Sequence, residues 1–202
     1  DKPLQIIEVT SSIPEEGKST VSSNISFAFG QLEKVLLIDA DMRRPSLAKR
    51  FGLPAYQAGL ANLIAGREQL EDCIVVDEKS GISLLPAGNV PPNPLELLSS
   101  PRFAELLTQL SQRYDRIIID TPPVQAVSDS LVVAKQADAV VFVVATDETR
   151  KGAIQSGIAK LLQTENNLYG VILNKVNMKR VAQSYGDYSH YGYYHYYSNE
   201  NS

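Results

Sequence analysis

The chain has 202 residues, enough for one large domain with a substantial core. Its net charge of −4, with acids and bases interspersed, excludes a broad basic face for nucleic acid. The most continuous apolar run, AVVFVVA at 139–145, is far too short to cross a bilayer, which takes about 20 residues. Cys73 is the single cysteine, so an internal disulfide is excluded and a small buried side chain is the plain reading. The sequence opens on DKPLQII without a signal-peptide pattern. It therefore reads as a soluble chain, either a whole small protein or the end of a longer one.

In chain order, apolar β-rich stretches fall at 4–10 (LQIIEVT), 34–39 (KVLLID), 82–88 (ISLLPAG), 116–120 (RIIID), 139–145 (AVVFVVA) and 168–174 (LYGVILN). Segments with helical spacing lie between them at 18–32, 101–113, 128–136 and 151–164. Near-continuous apolar strands alternating with helices predict a mostly parallel sheet covered on both faces, a doubly wound α/β fold. PPNPLELL at 91–98 carries a helix start, with Asn93 as cap, Pro94 at the first helical position and Glu96 at the capping-box position. After about residue 180 the composition turns to Tyr, Ser, Gly and Asn. This divides the chain into a folded domain over 1–180 and a tail over 181–202.

The tail holds seven of the ten tyrosines, Tyr185, Tyr188, Tyr191, Tyr193, Tyr194, Tyr196 and Tyr197. Their mixed spacing buries them on no single helical or strand face, which predicts an accessible terminus. His190 and His195 stand five residues apart, a spacing that fits no helical ligand pair, and read as polar tail residues.

The first strand runs into SSIPEEGKST, and a helix follows. Strand, tight loop and Gly17-Lys18-Ser19-Thr20 at a helix N-terminus is the context of a phosphate-binding loop, in which backbone N–H groups and the helix dipole face an anion. Lys18 is placed to reach the β- and γ-phosphates and the Ser19 hydroxyl to ligate magnesium. Ser12 stands where the usual pattern has its first glycine, so the loop is a variant. LLIDADMRR puts Asp39 and Asp41 at the end of the second strand, and IIIDTPP puts Asp120 at the end of another. Strand C-termini of an open parallel sheet line the ligand crevice, so the three carboxylates converge on the loop. Asp120 is assigned to the magnesium shell. Asp39 and Asp41 share the orientation of the metal's water and the acceptance of a proton from an attacking hydroxyl.

VTSSIPEEGKST, LLIDADMRRP, GNVPPNPLELLSSPRF and IIIDTPPV, in this order and followed by the tyrosine cluster, resemble the bacterial tyrosine kinases. The resemblance runs from residue 4 to the end and rests most on D-A-D-x-R, which ordinary P-loop enzymes lack. It implies a P-loop NTPase fold of the variant Walker A/Walker A′ group, with ATP and Mg2+ as cofactors. Ser12, Pro14, Glu16, Gly17, Lys18, Ser19 and Thr20 then form the nucleotide loop. Lys18, Asp39, Asp41 and Asp120 become catalytic, and Ser19, Asp39 and Asp120 hold the metal. Arg43 falls on the family's arginine after the paired acids, where it serves phosphate or interface contacts or is simply solvated. Asn174 matches the amide that related ATPases use against adenine, unless it is a strand-end turn residue. Arg150 and Lys151 read as solvated charges.

The resemblance further implies phosphorylation of the seven tail tyrosines between subunits of a homo-oligomer, a ring in a longer parent. It also implies a transmembrane activator, a tyrosine phosphatase as partner, control of polysaccharide polymerisation or export, and a cytoplasmic domain at the face of the bacterial inner membrane. Two departures stand out: the sequence lacks the E-x-x-R-x-x-R helix that precedes the first strand in the family, and Ser46 stands where some members have a regulatory tyrosine. Two other functions fit the same residues. One is an ATPase switch of the Min/Par type in which water is the acceptor. The other is a non-catalytic module whose aromatic tail drives assembly, a reading weakened by the absence of Lys and Arg from 181–202.

Overall fold

The computed structural model describes residues 4–164 and 167–177. The chain enters as β1 (Ile6–Ser11), turns through a tight loop into α1 (Lys18–Gly30) and returns as β2 (Val35–Asp39). Short elements follow: α2 (Leu47–Arg50), α3 (Leu60–Ile64), α4 (Leu70–Cys73), β3 (Val75–Val76) and β4 (Ser83–Leu85). The remainder is α5 (Pro94–Leu98), α6 (Pro101–Ser111), β5 (Arg116–Asp120), α7 (Asp129–Ala134), β6 (Ala139–Ala145), α8 (Lys151–Leu162) and β7 (Leu168–Asn174). The strands form one sheet in the order β3-β4-β2-β5-β1-β6-β7, parallel throughout except for β3, which pairs antiparallel with β4.

The apolar runs are continuous because both faces of the central strands are buried. On β2, Val35 and Leu37 join Ile7, Val9 and Ile118 beneath α1, while Leu36 and Ile38 join Ile117 and Ile119 beneath α6. From α6, Phe103, Leu107 and Leu110 pack into that second layer at helical spacing. Each such buried Leu, Ile or Phe side chain contributes about 1.5–3 kcal/mol relative to exposure. A third cluster, with Phe142, Val140 and Leu161, seats α8 on β6.

The strand β7, which among the described residues pairs with β6 alone, alternates instead: Tyr169, Val171 and Leu173 are exposed on one face. At α5, Asn93 Oδ1 accepts from the Glu96 backbone N–H at 3.4 Å and Pro94 opens the helix, as the sequence indicates. Glu96 answers through the Asn93 side-chain amide rather than its backbone N–H. Among the described residues no helix is long and apolar enough to cross a membrane. The helices α2, α3 and α4 and the strand β3 are additions to the elements read from sequence, and β4 is shorter than the stretch 82–88.

Candidate functional site

The loop from Ser12 to Gly17 joins the middle of the sheet to the N-terminus of α1. Gly17 caps that helix at φ 91°, in the left-handed region, and a Cβ there would meet the Asn174 side-chain amide at 2.0 Å. Only glycine fits. Three serines line the buried side of α1, and their hydroxyls are absorbed locally: Ser23 Oγ donates to the Ser19 carbonyl at 2.7 Å and Ser26 Oγ to the Ser22 carbonyl at 2.8 Å. Small, internally satisfied side chains let the helix lie close over the strands.

Toward β2 and β5 the loop meets charge. Lys18 Nζ lies 3.0 Å from Asp41 Oδ2 and 4.0 Å from Asp120 Oδ2. Ser19 Oγ donates to Asp120 Oδ2 at 2.5 Å, while Asp120 Oδ1 is buried and has no hydrogen-bond partner among the described residues. Asp39 is fully buried, and both its oxygens serve the following loop. Oδ1 accepts from the Asp41 N–H at 3.2 Å, and Oδ2 accepts from the Ser46 and Leu47 N–H groups at 3.1 and 3.0 Å. The carboxylates are crowded and dry. Burial, then the neighbouring Asp120 charge, pushes Asp39 up to about 7. Burial pushes Asp120 up to about 6 against the opposing pull of Lys18 and the Ser19 hydroxyl. Burial works to lower the Lys18 pKa, but Asp120, Asp41 and Asp39 outweigh it and hold the ammonium firmly charged.

Three acids around one lysine leave negative charge uncompensated. The unpaired Asp120 oxygen beside the Ser19 hydroxyl is the oxygen chemistry that a hard divalent cation takes. Among the described residues no group of three His, Cys, Asp or Glu side chains encloses an ion by itself. A cation held there draws its other ligands from a bound phosphate and water, as Mg2+ commonly does.

Toward β6 and β7 the same loop is tied down by neutral contacts and one acid. The Glu16 carboxylate, almost fully buried, accepts from the Ile13 N–H at 2.8 Å, from Thr149 Oγ1 at 2.6 Å and from the Ala145 N–H at 3.3 Å. Asn174 Nδ2 donates to the Glu16 carbonyl at 2.9 Å. Ser12 Oγ donates to the Ala153 carbonyl at 3.2 Å. Its side chain therefore faces α8, where Gly157 leaves it room, and not the mouth of the loop.

Lys18, Ser19, Asp39, Asp41 and Asp120 thus meet at one end of the sheet, with Pro14 on the rim of a cleft of about 520 Å³. Thr20 Oγ1 accepts from Arg50 at 3.0 Å. Arg43 also borders the cleft, but its guanidinium is engaged with the fully buried Asp129 through Nε at 2.8 Å and Nη2 at 3.1 Å. Arg150 and Lys151 are exposed at the start of α8. Tyr185, Tyr188, Tyr191, Tyr193, Tyr194, Tyr196 and Tyr197, like His190 and His195, lie outside the described residues. Sequence reasoning did not single out Thr149 or Asp129. Both act across more than 80 positions of chain, and no local pattern marks such a contact.

A family model described as an AAA domain matches residues 5–178. The tyrosine-protein kinase YwqD of Bacillus subtilis (strain 168) is 34% identical over 93% of this chain and 79% of its own length. The tyrosine-protein kinase ptk of Acinetobacter johnsonii is 37% identical over 85% of this chain, which spans only 23% of that longer relative. Among solved structures, the VpsO kinase domain is 46% identical with a TM-score of 0.84, covering 86% of each chain.

Proposed function

Since the chain belongs to the bacterial tyrosine-protein kinases, we propose that its cleft moves the γ-phosphoryl group of ATP to the tyrosines of a neighbouring copy's tail, residues 185–197. The observation that carries this reading is the position of Lys18 between Asp41 and Asp120, at the N-terminus of a helix whose second residue donates its hydroxyl to Asp120.

The geometry suggests an exchange of partners. Lys18 is paired with Asp41 at 3.0 Å. A triphosphate on the loop draws the ammonium to its β- and γ-oxygens, which frees Asp41 to receive the phenolic proton during attack. Asp39 supports this step from behind, because its carboxylate holds the backbone of Asp41, Ser46 and Leu47 in place. Ser19 and the unpaired oxygen of Asp120 are the protein groups that fit Mg2+, whose role when bound is to neutralise charge on the transferring phosphoryl group. Asn174 stands at the opposite flank of the loop, where its remaining amide valences suit a base edge.

Each phosphotyrosine adds about −1.5 to −2 charges near neutral pH. Full modification of a tail without Lys or Arg after Arg180 therefore drives neighbouring copies apart. On this reading 1–180 is the kinase domain and 181–202 its substrate tail. The cycle of homo-oligomer and monomer, opposed by a tyrosine phosphatase and started by a transmembrane activator at the inner membrane, regulates polysaccharide assembly or export. Incubation of the full chain with Mg-ATP, followed by phosphate mapping by mass spectrometry, tests the central claim. Phosphotyrosine should appear within 185–197 in the wild type and essentially none in Lys18→Met. Release of inorganic phosphate with no phosphotyrosine anywhere refutes it.

A further inference from the structure

A chain of net charge −4 gathers three cations around a second recess, a groove of about 580 Å³ on the face of the sheet that α1 covers. Lys49 and Arg50 border it from α2, and Lys79 from the turn between β3 and β4. It shares no lining residue with the cleft beside Lys18. Two separate elements supply the charge, so no single helix end accounts for it. Among the described residues neither lysine has an ion-pair partner, and Arg50 commits one N–H to Thr20 Oγ1 at 3.0 Å. The one acid of the groove, Asp77, is engaged in its own turn, where Oδ2 accepts from the Ser80 N–H at 2.9 Å and from the Ser80 hydroxyl at 2.5 Å. Like charges gathered in this way repel one another, and an anion relieves that cost.

The groove is aromatic as well as cationic. Phe27 and Phe51 line it half-buried, with ring centroids 6.0 Å apart and planes inclined at 55°. Inorganic phosphate leaves those rings unused. Nucleic acid or an anionic bilayer calls for a broader basic surface than three side chains around a recess. A phosphotyrosine uses both features, because its phosphate takes charge-assisted hydrogen bonds while its ring packs on the phenylalanines.

We propose that this groove docks a phosphotyrosine of the chain's own tail, one of Tyr191, Tyr193, Tyr194, Tyr196 and Tyr197, with the phosphate on Lys49, Arg50 and Lys79 and the ring against Phe27 and Phe51. This rests on the kinase reading above and adds to it a docking site for the product. The tail matches the groove in charge, since 181–202 contains Asp187 and Glu200 and no Lys or Arg, and each phosphate adds about −1.5 to −2 charges. Its length also suffices. The groove lies by β3 and β4, at the opposite end of the seven-strand order from β7, a width of about 30 Å. Extended chain from Asn177 to Tyr191 spans at most about 50 Å. A tail docked on its own domain is withdrawn from neighbouring copies, in accord with the separation of modified copies proposed above.

A fluorescent synthetic peptide of residues 187–199, with phosphotyrosine at 193 and 194, tests the groove by anisotropy against the full chain treated with a tyrosine phosphatase. The unphosphorylated peptide should bind at least about tenfold more weakly, and Lys49→Glu with Lys79→Glu should weaken the phosphopeptide about tenfold or more. Both lysines are exposed, which keeps the double variant folded, and Arg50 is left in place because it holds Thr20. Saturating Mg-ATP should leave phosphopeptide binding unchanged. After incubation of the full chain with Mg-ATP and removal of nucleotide, its own modified tail should fill the groove and weaken peptide binding about tenfold. A phosphopeptide that fails to bind, that binds the double variant equally well, or that binds no better than its unphosphorylated form overturns the groove and leaves the kinase reading standing. Displacement by Mg-ATP assigns the peptide to the nucleotide cleft and overturns it too. Unchanged peptide affinity in a chain carrying phosphotyrosine overturns docking by its own tail. If the wild type makes no phosphotyrosine, the kinase reading falls, and the source of the ligand with it.

Discussion

The two flanks of the phosphate loop are built on opposite plans. Toward β2 and β5, Asp39, Asp41 and Asp120 surround Lys18, one buried carboxylate oxygen has no partner, and two of the acids are held above their ordinary range. Toward β6 and β7, Glu16 accepts three hydrogen bonds and Asn174 and Ser12 each find a backbone carbonyl. The first flank gathers charge and leaves a carboxylate oxygen unpaired; the second satisfies its one acid fully, and its unpaired buried group among the described residues is the neutral Thr146 hydroxyl. Uncompensated charge costs free energy in a dry site, so where a fold retains it, a ligand is the natural source of the compensation. The neutral flank fixes the shape of the loop on which that ligand sits.

Changes on the charged flank should therefore act on the reaction, and the largest effect is expected at Asp41. Asp41→Asn keeps the shape and removes both the proton acceptor and the ion pair that Lys18 must leave. Phosphoryl transfer should fall about 10²- to 10⁴-fold, the usual worth of a general base. ATP affinity should hold or improve, because the ammonium no longer has a competing carboxylate. Single-turnover transfer and titration with a fluorescent ATP analogue measure the two quantities. Equal losses in both would mean that Asp41 organises binding rather than chemistry.

On the neutral flank the same kind of change should act on stability and binding. Glu16→Ala leaves the Ile13 and Ala145 N–H groups and the Thr149 hydroxyl without their acceptor. Buried donors left unpaired cost about 1–3 kcal/mol each before water enters, so a loss of about 2–4 kcal/mol is expected. That corresponds to roughly 5–15 °C in Tm for a domain of this size, with ATP affinity falling alongside it. Transfer at saturating ATP should change by less than about threefold. A collapse of that rate with an unchanged Tm would erase the distinction between the flanks.

Much of this contrast was visible in the amino-acid order. The acids of the charged flank each follow a strand whose both-sided burial makes it read as an unbroken apolar run, so IIID and LLID placed Asp120 and Asp39 at the correct ends of β5 and β2. The neutral flank was not visible, because Glu16 finds Thr149 at a separation of 133 residues and Asn174 finds the loop at 158. Such pairs exist only after the sheet has ordered its strands. The side-chain direction of Ser12 and the engagement of Arg43 by Asp129 were hidden for the same reason. The helices α2, α3 and α4 escaped detection because four or five residues span little more than one turn, too short for a 3.6-residue period to emerge.

A third carboxyl environment tests whether burial without a ligand role leaves a different signature. Glu8 lies mid-strand on β1, fully buried, with Oε1 accepting from the Thr121 hydroxyl at 2.7 Å and Oε2 unpartnered among the described residues. Burial raises its pKa to about 8, and the Thr121 hydrogen bond recovers only part of the cost of ionisation. The unfolded chain ionises this group at its ordinary value of 4.5, so between that pH and about 8 the folded state carries the extra proton. Stability must then decline as pH rises through this window, by about 1.4 kcal/mol per pH unit, and level off above it. Asp39 and Asp120 add slopes of the same sign, so the informative quantity is a difference. Glu8→Gln mimics the neutral acid and cannot ionise; its stability relative to wild type should improve steadily from about pH 5.5 to about pH 8 in urea unfolding. No comparable sign of gain is expected for Glu16→Gln, whose amide would bring a donor against the donors that the carboxylate now accepts from. A difference between Glu8→Gln and wild type that stays constant with pH would show that Glu8 is already ionised in the fold, and that the unsatisfied charge is not confined to the nucleotide flank.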